Sequence, residues 1–167
     1  RMLELEGLVI MVPRRGAQVA QITEKSMSDV LEVRCALDVL AVELACERIT
    51  TEAVEELREA CREFEKATNT KDVHVIAKAD VAFHDIIFKA AGNPRLTQMI
   101  NNLAEQMYRY RFEYIKDESQ HQMLVKEHCL ICESIEKRDV EGAKEAIRKH
   151  IENQENSIIR QIRLEKR

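Results

Sequence analysis

The sequence has few of the residues that make tight turns. Its 167 residues include 4 Gly, 2 Pro and no Trp, and only 4% of them are aromatic. So few turn formers cannot supply the many hairpins of a β-sandwich or barrel, and they exclude a collagen-like or low-complexity chain. The length suits one ordinary domain with a small appendage, and such a chain buries enough surface to fold without cross-links.

Long apolar runs are also absent. The longest, Leu8–Val12, is far shorter than the roughly 20 residues of a membrane-spanning helix. Glu4 and Glu6 interrupt the first apolar stretch, so we expect no signal peptide. The 5 Cys form no paired framework, which favours a reducing compartment. We therefore expect a cytoplasmic protein without a membrane partner.

Charge of one sign is not abundant. The formal net charge is −4, of which residues 1–22 carry +1 and the remainder −5. Contacts with phosphates need clustered Lys or Arg, so the acidic body is a poor nucleic-acid surface. Any nucleic-acid contact is expected from the N-terminal segment.

This N-terminal segment, residues 1–22, differs in pattern from the rest of the chain. Two short apolar stretches, residues 8–12 and 17–22, flank a Pro- and Gly-containing turn. The pattern predicts a β-hairpin with Arg14 and Arg15 at its tip.

Helical periodicity begins near residue 26. Six amphipathic helices are predicted, at residues 26–49, 51–68, 72–91, 94–116, 119–137 and 140–164. The sharpest boundary is Gly92-Asn93-Pro94, which reads as a terminating Gly, an N-cap and an N1 Pro. Short joins between amphipathic helices predict an all-α fold, an antiparallel bundle of about six helices preceded by the hairpin. We divide the chain into residues 1–22 and 23–167.

Four polar side chains fall on the apolar stripes of these helices. Asp80 and His84 share one face of the third helix, while His128 and His150 lie on the inner faces of the fifth and sixth. Burying these groups separately is costly, and a shared cation removes most of the cost. Imidazole and carboxylate ligands suit Zn, Ni, Fe or Mn, with Zn and Ni favoured by intrinsic affinity. The sequence predicts a divalent transition metal site.

Each of these residues also has an ordinary interpretation. A single inward His is usually a hydrogen-bonded core residue, and an Asp–His pair one turn apart is often a simple surface contact. His74 and His121 lack the core placement, and we interpret both as non-ligands. Cys129 and Cys132 lie within one helix without a second pair, which argues against a zinc knuckle, and packing is the better interpretation of Cys132.

Arg34 is a further inward polar residue. It follows Val30 by four residues and precedes Leu37 by three, so it shares their stripe. An interior Arg needs an anion, either a buried acid or a bound carboxylate, unless its head group reaches the rim. Arg111 is a second candidate for binding the carboxylate, although the sequence does not decide whether it faces inward. Asn153 is either a hydrogen-bond donor to the same ligand or a solvated residue. These three residues form our candidate effector-binding set.

The chain resembles a known family over nearly its whole length. Residues 1–22, with the pattern Arg-x-Leu-x-x-Glu-Gly-Leu-Val-x-x-x-Pro-x-x-Gly-x-x-Val, resemble the end of the winged helix-turn-helix domain of GntR-type bacterial transcription regulators. Residues 26–167 resemble the effector-binding FCD domain of the FadR subfamily. The residues that carry this resemblance are Val33-Arg34, Leu37, Asp80-x-x-Phe83-His84, Gly92-Asn93, Glu127-His128-x-x-Ile131 and His150-Ile151.

This resemblance implies a ligand-responsive transcription regulator. Asp80, His84, His128 and His150 match the four metal ligands of the metal-binding branch, in which a small organic acid completes the coordination. The residue that matches Arg34 lies beside the same cavity in that branch. Acyl-CoA-binding relatives lack this His set, so the resemblance favours a small carboxylate as effector.

The resemblance also implies a DNA partner. By this resemblance, we expect the chain to begin at the end of the recognition helix and to keep only the wing of a DNA-binding domain, where Arg14 and Arg15 could touch phosphate or the minor groove. Two such heads on a two-fold operator imply a homodimer. The expected protein is therefore not an enzyme.

Two alternatives remain at this point. A metal with open positions can activate water, so a metal-dependent hydrolase or lyase acting on a small organic acid is the first. Glu127 points about 100° away from His128 on an ideal helix, which is poor for a general base there. The second alternative is a structural bundle with a purely stabilising metal.

Overall fold

A short helix and a β-hairpin precede the helical bundle. The structure is a computed structural model that describes residues 2–5 and 7–165. Helix α1 (Met2–Leu5) is followed by the antiparallel strands β1 (Val9–Val12) and β2 (Gly16–Val19). The predicted hairpin is confirmed, although its second strand ends at Val19 and does not continue to Ile22.

The tip of the hairpin has a strained backbone. Val9 pairs with Val19 and Val12 with Gly16, which leaves three residues in the turn. Arg14 and Gly16 have φ values of 64° and 77°. Gly adopts this left-handed region at little cost, whereas Arg14 does so at a cost in backbone energy. Both Arg14 and Arg15 are exposed.

The rest of the described chain is helical. The helices are α2 (Glu24–Arg48), α3 (Thr51–Thr70), α4 (Val73–Ala90), α5 (Pro94–Asn101), α6 (Ala104–Ile115), α7 (His121–Glu136) and α8 (Val140–Glu165), with a 3₁₀ turn at Glu118–Gln120. Side chains of Thr23, Thr50, Asp72 and Asn93 accept hydrogen bonds from first-turn amides and define where α2 to α5 begin. The predicted all-α fold is confirmed.

The fourth predicted helix is divided in the structure. It forms α5 and α6, which are separated by a turn at residues 102–103. The amide of Leu103 donates to Ile100 O at 3.0 Å, a bond with the shorter span of a 3₁₀ turn. Asn101 and Asn102 have poor helix propensity because their side chains compete for backbone hydrogen bonds. Apolar periodicity continues through this segment and did not reveal the break.

The helices pack around a single buried core. Helix α2 lies against α8, α3 against α4, and α7 against both α3 and α8. The buried stripe of α2 runs through Leu31, Arg34 and Asp38, while Val30 and Leu37 are only half-buried. The stripe is therefore offset from the one that the sequence predicts, and the offset brings a second charged residue inside.

None of the helices within residues 2–5 and 7–165 is both long enough and apolar enough to cross a membrane.

Candidate metal centre

One carboxylate and three imidazoles meet inside the bundle. Helix α4 carries Asp80 and His84, α7 carries His128, and α8 carries His150. One ligand atom of each residue lies within 4.8 Å of the other three, and all four residues are buried. The structure thus brings together the four residues that the sequence analysis selected. Metal binding by them stays a prediction.

The ring of His128 is held by two aromatic neighbours. Phe83 stacks on it with a centroid distance of 4.3 Å, and Phe64 approaches it edge-on at 4.1 Å. This clamp places His128 Nε2 3.0 Å from Asp80 Oδ1. The orientation of the imidazole therefore comes from apolar packing by α3 and α4.

Hydrogen bonds orient the ring of His150. Its Nδ1 lies 2.8 Å from Glu127 Oε2, and Asn153 Nδ2 donates to Glu127 Oε1 at 2.6 Å. Because a carboxylate only accepts, Nδ1 carries the proton and Nε2 keeps its lone pair. Nε2 lies 3.2 Å from the amide nitrogen of Gln154. A carboxylate behind a metal-ligating His typically fixes the tautomer and raises ligand basicity in this way.

Two ring nitrogens of the cluster are buried and unpaired. Among the described residues, no group makes a hydrogen bond to Nδ1 of His84 or Nδ1 of His128, whereas Asp80 Oδ1 lies 3.0 Å from His128 Nε2. Arg111 Nε pairs with Asp80 Oδ2 as an ion pair. Each unsatisfied buried group costs about 1–3 kcal/mol. Three nitrogen donors and one oxygen donor at this spacing fit a divalent transition metal.

The electrostatics of the cluster favour the ligand forms of its side chains. Burial lowers the pKa of His128, and it lowers the pKa of His84 well below the ordinary value. Burial alone would raise the pKa of Asp80, but Arg111 and the neighbouring imidazoles outweigh burial and hold that pKa well below its usual range. Neutral imidazoles and an ionised carboxylate are the forms that bind a cation.

The candidate effector residues Arg34 and Arg111 both line a cavity beside the Asp–His cluster. Arg34 Nε lies 2.6 Å from Asp38 Oδ1, and its guanidinium lies 5.3 Å from the centre of the Phe88 ring. Both arginines line a narrow cavity that also includes His84 and His150. A wider pocket shares the two arginines and His84 and continues along α5 and α6.

Asn153 does not lie among the residues that line the narrow cavity. Its side chain holds Glu127 instead, and the neighbouring Gln154 occupies the wall. Asn153 therefore supports the ring of His150 through Glu127.

Three residues at the centre were not selected from the sequence. Asp38 lies one helical turn after Arg34, and this i, i+4 spacing is a sequence signal for the ion pair that the two residues form. Glu127 points away from His128, as the helix angle indicates, but the neighbouring α8 brings His150 to it. Tyr114 is fully buried and makes no hydrogen bond within the described part of the chain, and burial raises its pKa.

The residues interpreted as non-ligands lie elsewhere. His74 is exposed against the ring of Phe112, and His121 Nε2 lies 2.8 Å from Ile115 O. Cys132 is buried and is not part of the four-residue group.

Comparison with known proteins identifies the family of the chain. The FCD domain family matches residues 29–153. The HTH-type transcriptional regulator YdhC of Bacillus subtilis is 26% identical over 152 residues, which cover 90% of this chain and 67% of that protein.

Solved structures show the same fold. Escherichia coli McbR/YncC is similar with a TM-score of 0.85 and 19% identity, over 95% of this chain and 80% of that one. The metal-free FCD domain of TM0439 is similar with a TM-score of 0.74 and 21% identity, over 87% of this chain and 99% of that one. The chain belongs to the FCD domain family and is a transcription regulator of the GntR family.

Proposed function

We propose that the helical bundle binds a divalent transition metal, Zn or Ni, and a small carboxylate effector. Asp80, His84, His128 and His150 would hold the metal. The observation that carries this proposal is the spacing of their ligand atoms, all within 4.8 Å of one another in a fully buried setting. The buried Nδ1 atoms of His84 and His128, which make no hydrogen bond within the described residues, support it.

Arg34 and Arg111 provide the positive charge for an anionic effector. When bound, the metal would supply a Lewis-acidic anchor for a carboxylate. The planar guanidinium of Arg34 can bind a carboxylate through two parallel hydrogen bonds, and its partner Asp38 holds it in position.

Effector binding would reach DNA through α2. This helix packs along α8, which carries His150, and it begins directly after the hairpin segment at the cap residue Thr23. We assign residues 1–22 to the wing of a DNA-binding domain and 23–167 to the sensor domain. Arg14 and Arg15 would contact operator DNA, and a homodimer would present two such wings. Coupling between effector and DNA sites is typically about 1–3 kcal/mol and is reciprocal.

A regulator fits the centre better than a hydrolase or lyase. Both carboxylate oxygens of Glu127 accept hydrogen bonds, one from His150 and one from Asn153. A general base must be free to take a proton from water or substrate. Glu127 is instead committed to orienting His150.

The test is the melting temperature of chelated and zinc-loaded protein with a panel of small mono-, di- and tricarboxylates. We expect at least one acid to raise the melting temperature of the loaded protein and to have no effect after chelation. Arg34→Gln should keep zinc binding and lose the acid response, measured against its own acid-free melting temperature. His74→Ala, at an exposed His, should keep both. An acid response that survives chelation, or persists in Arg34→Gln, would contradict the proposal.

A further inference from the structure

Two thiols from different helices are in contact. Cys61 on α3 and Cys129 on α7 have their sulfur atoms 3.4 Å apart. A disulfide needs an S–S distance of about 2.05 Å, so the sulfurs must approach by about 1.4 Å more. Both residues are free thiols in the structure.

We propose that Cys61 and Cys129 form an oxidisable pair that a hydroperoxide converts into a disulfide between α3 and α7. Cys129 is half-buried and is the thiol that an oxidant reaches first, whereas Cys61 is buried. Cys61 therefore acts as the resolving thiol.

The disulfide forms in two steps. The peroxide transfers one oxygen to the sulfur of Cys129, which gives a sulfenic acid and one molecule of water or alcohol. The sulfur of Cys61 then attacks the sulfenic sulfur, the S–S bond forms, and the proton of Cys61 leaves with the hydroxyl as water. Two thiols lose two electrons and two protons, and the O–O bond of the peroxide is reduced.

Cys132 is the competing thiol and is less suited. It lies one turn after Cys129 on the same helix, so a bond between those two would join no separate elements. The other two cysteines, Cys35 and Cys46, lie on α2.

The pair lies directly behind the candidate metal centre. Cys129 follows His128, and Cys61 lies one turn before Phe64, whose ring centre is 4.1 Å from that of His128. Closing the disulfide would pull α3 and α7 together and shift the ring of His128 in its aromatic clamp. Disturbing a group that orients a metal ligand typically lowers metal affinity 10–100-fold. This step rests on the proposed metal function, and we expect zinc affinity about tenfold weaker in the oxidised protein.

The first test is chemical and needs no metal. The full chain is reduced, treated with a small excess of hydrogen peroxide, and analysed by thiol counting in denaturant and by peptide mass mapping. We expect the 5 thiols to fall by two, with a Cys61–Cys129 linked peptide. Cys132→Ser should still form this link and Cys129→Ser should form no link to Cys61. A bond between Cys129 and Cys132, a bond between two chains, or overoxidation without any bridge would overturn the proposal.

The second test is a competitive zinc titration of the reduced and oxidised forms. An unchanged zinc affinity after the disulfide forms would overturn the coupling to His128. If the reduced chain binds no zinc, the proposed metal function fails, while the mass map still decides whether the disulfide exists.

Discussion

Helices α3 and α4 pack against each other but bury different chemistry. The buried residues of α3 are all apolar: Leu57, Cys61, Phe64 and Ala67. Helix α4 buries Asp80 and His84 on the same face as Ile76 and Phe83. Burial of one large apolar side chain contributes about 1.5–3 kcal/mol, whereas an unsatisfied polar group costs a similar amount. The face of α3 therefore contributes to stability, whereas the polar groups on the face of α4 reduce it, a cost that the proposed metal binding would offset.

The largest expected loss of stability comes from a substitution on α4. Asp80→Ala removes the carboxylate that pairs with the buried Arg111. We expect the free energy of unfolding of the chelated protein to fall by about 3–5 kcal/mol, measured by urea denaturation. The double variant Asp80→Ala/Arg111→Leu should recover much of this loss because it removes both charges. A loss below about 1 kcal/mol in the single variant would contradict the role given to this pair.

The next effect is on α3. Leu57→Ala creates a cavity in the apolar core and should lower the free energy of unfolding by about 2–5 kcal/mol. Zinc affinity should not change, because Leu57 contributes no donor and is not part of the ligand group. Parallel urea denaturation and zinc titration check this separation. A large loss of zinc affinity in a folded Leu57→Ala protein would remove the distinction between the two helices.

The smallest expected effect comes from Glu127, which lies behind the candidate metal centre and should influence its zinc affinity. Glu127→Gln keeps a hydrogen-bond acceptor for His150 but removes the charge, so zinc affinity should fall about 10–100-fold with little change in stability. Glu133→Gln, at an exposed acid on the same helix α7, is the matched control and should bind zinc like the unmodified chain. Equal affinities of the two variants would show that Glu127 does not support the ligand.

The contrast between α3 and α4 also shows what the sequence could predict. The stripe of α3 follows a strong helical period, and this period alone places Leu57, Cys61 and Phe64 on one face, which is the buried face in the structure. The polar residues of α4 were noticeable because they interrupt the same kind of stripe. The position of both helices along the chain was predicted to within a few residues.

Other features depend on tertiary contacts. On α2, apolar residues occur around most of the helix, so periodicity put Val30 and Leu37 on the inner stripe and left Asp38 unnoticed. Glu127 gains its role from α8, which no spacing on α7 indicates. The break between α5 and α6 depends on weak local propensity at Asn101 and Asn102.

The most direct test of the central claim is elemental analysis of the purified chain before and after chelation and zinc or nickel reconstitution. We expect about one transition metal per chain, lost on chelation and regained on reconstitution. His128→Ala and His150→Ala should bind none, and His74→Ala should bind as the unmodified chain does. If the chain binds neither zinc nor nickel after reconstitution, the buried Asp and His residues are not a metal centre. The same conclusion follows if His128→Ala and His150→Ala both still bind the metal.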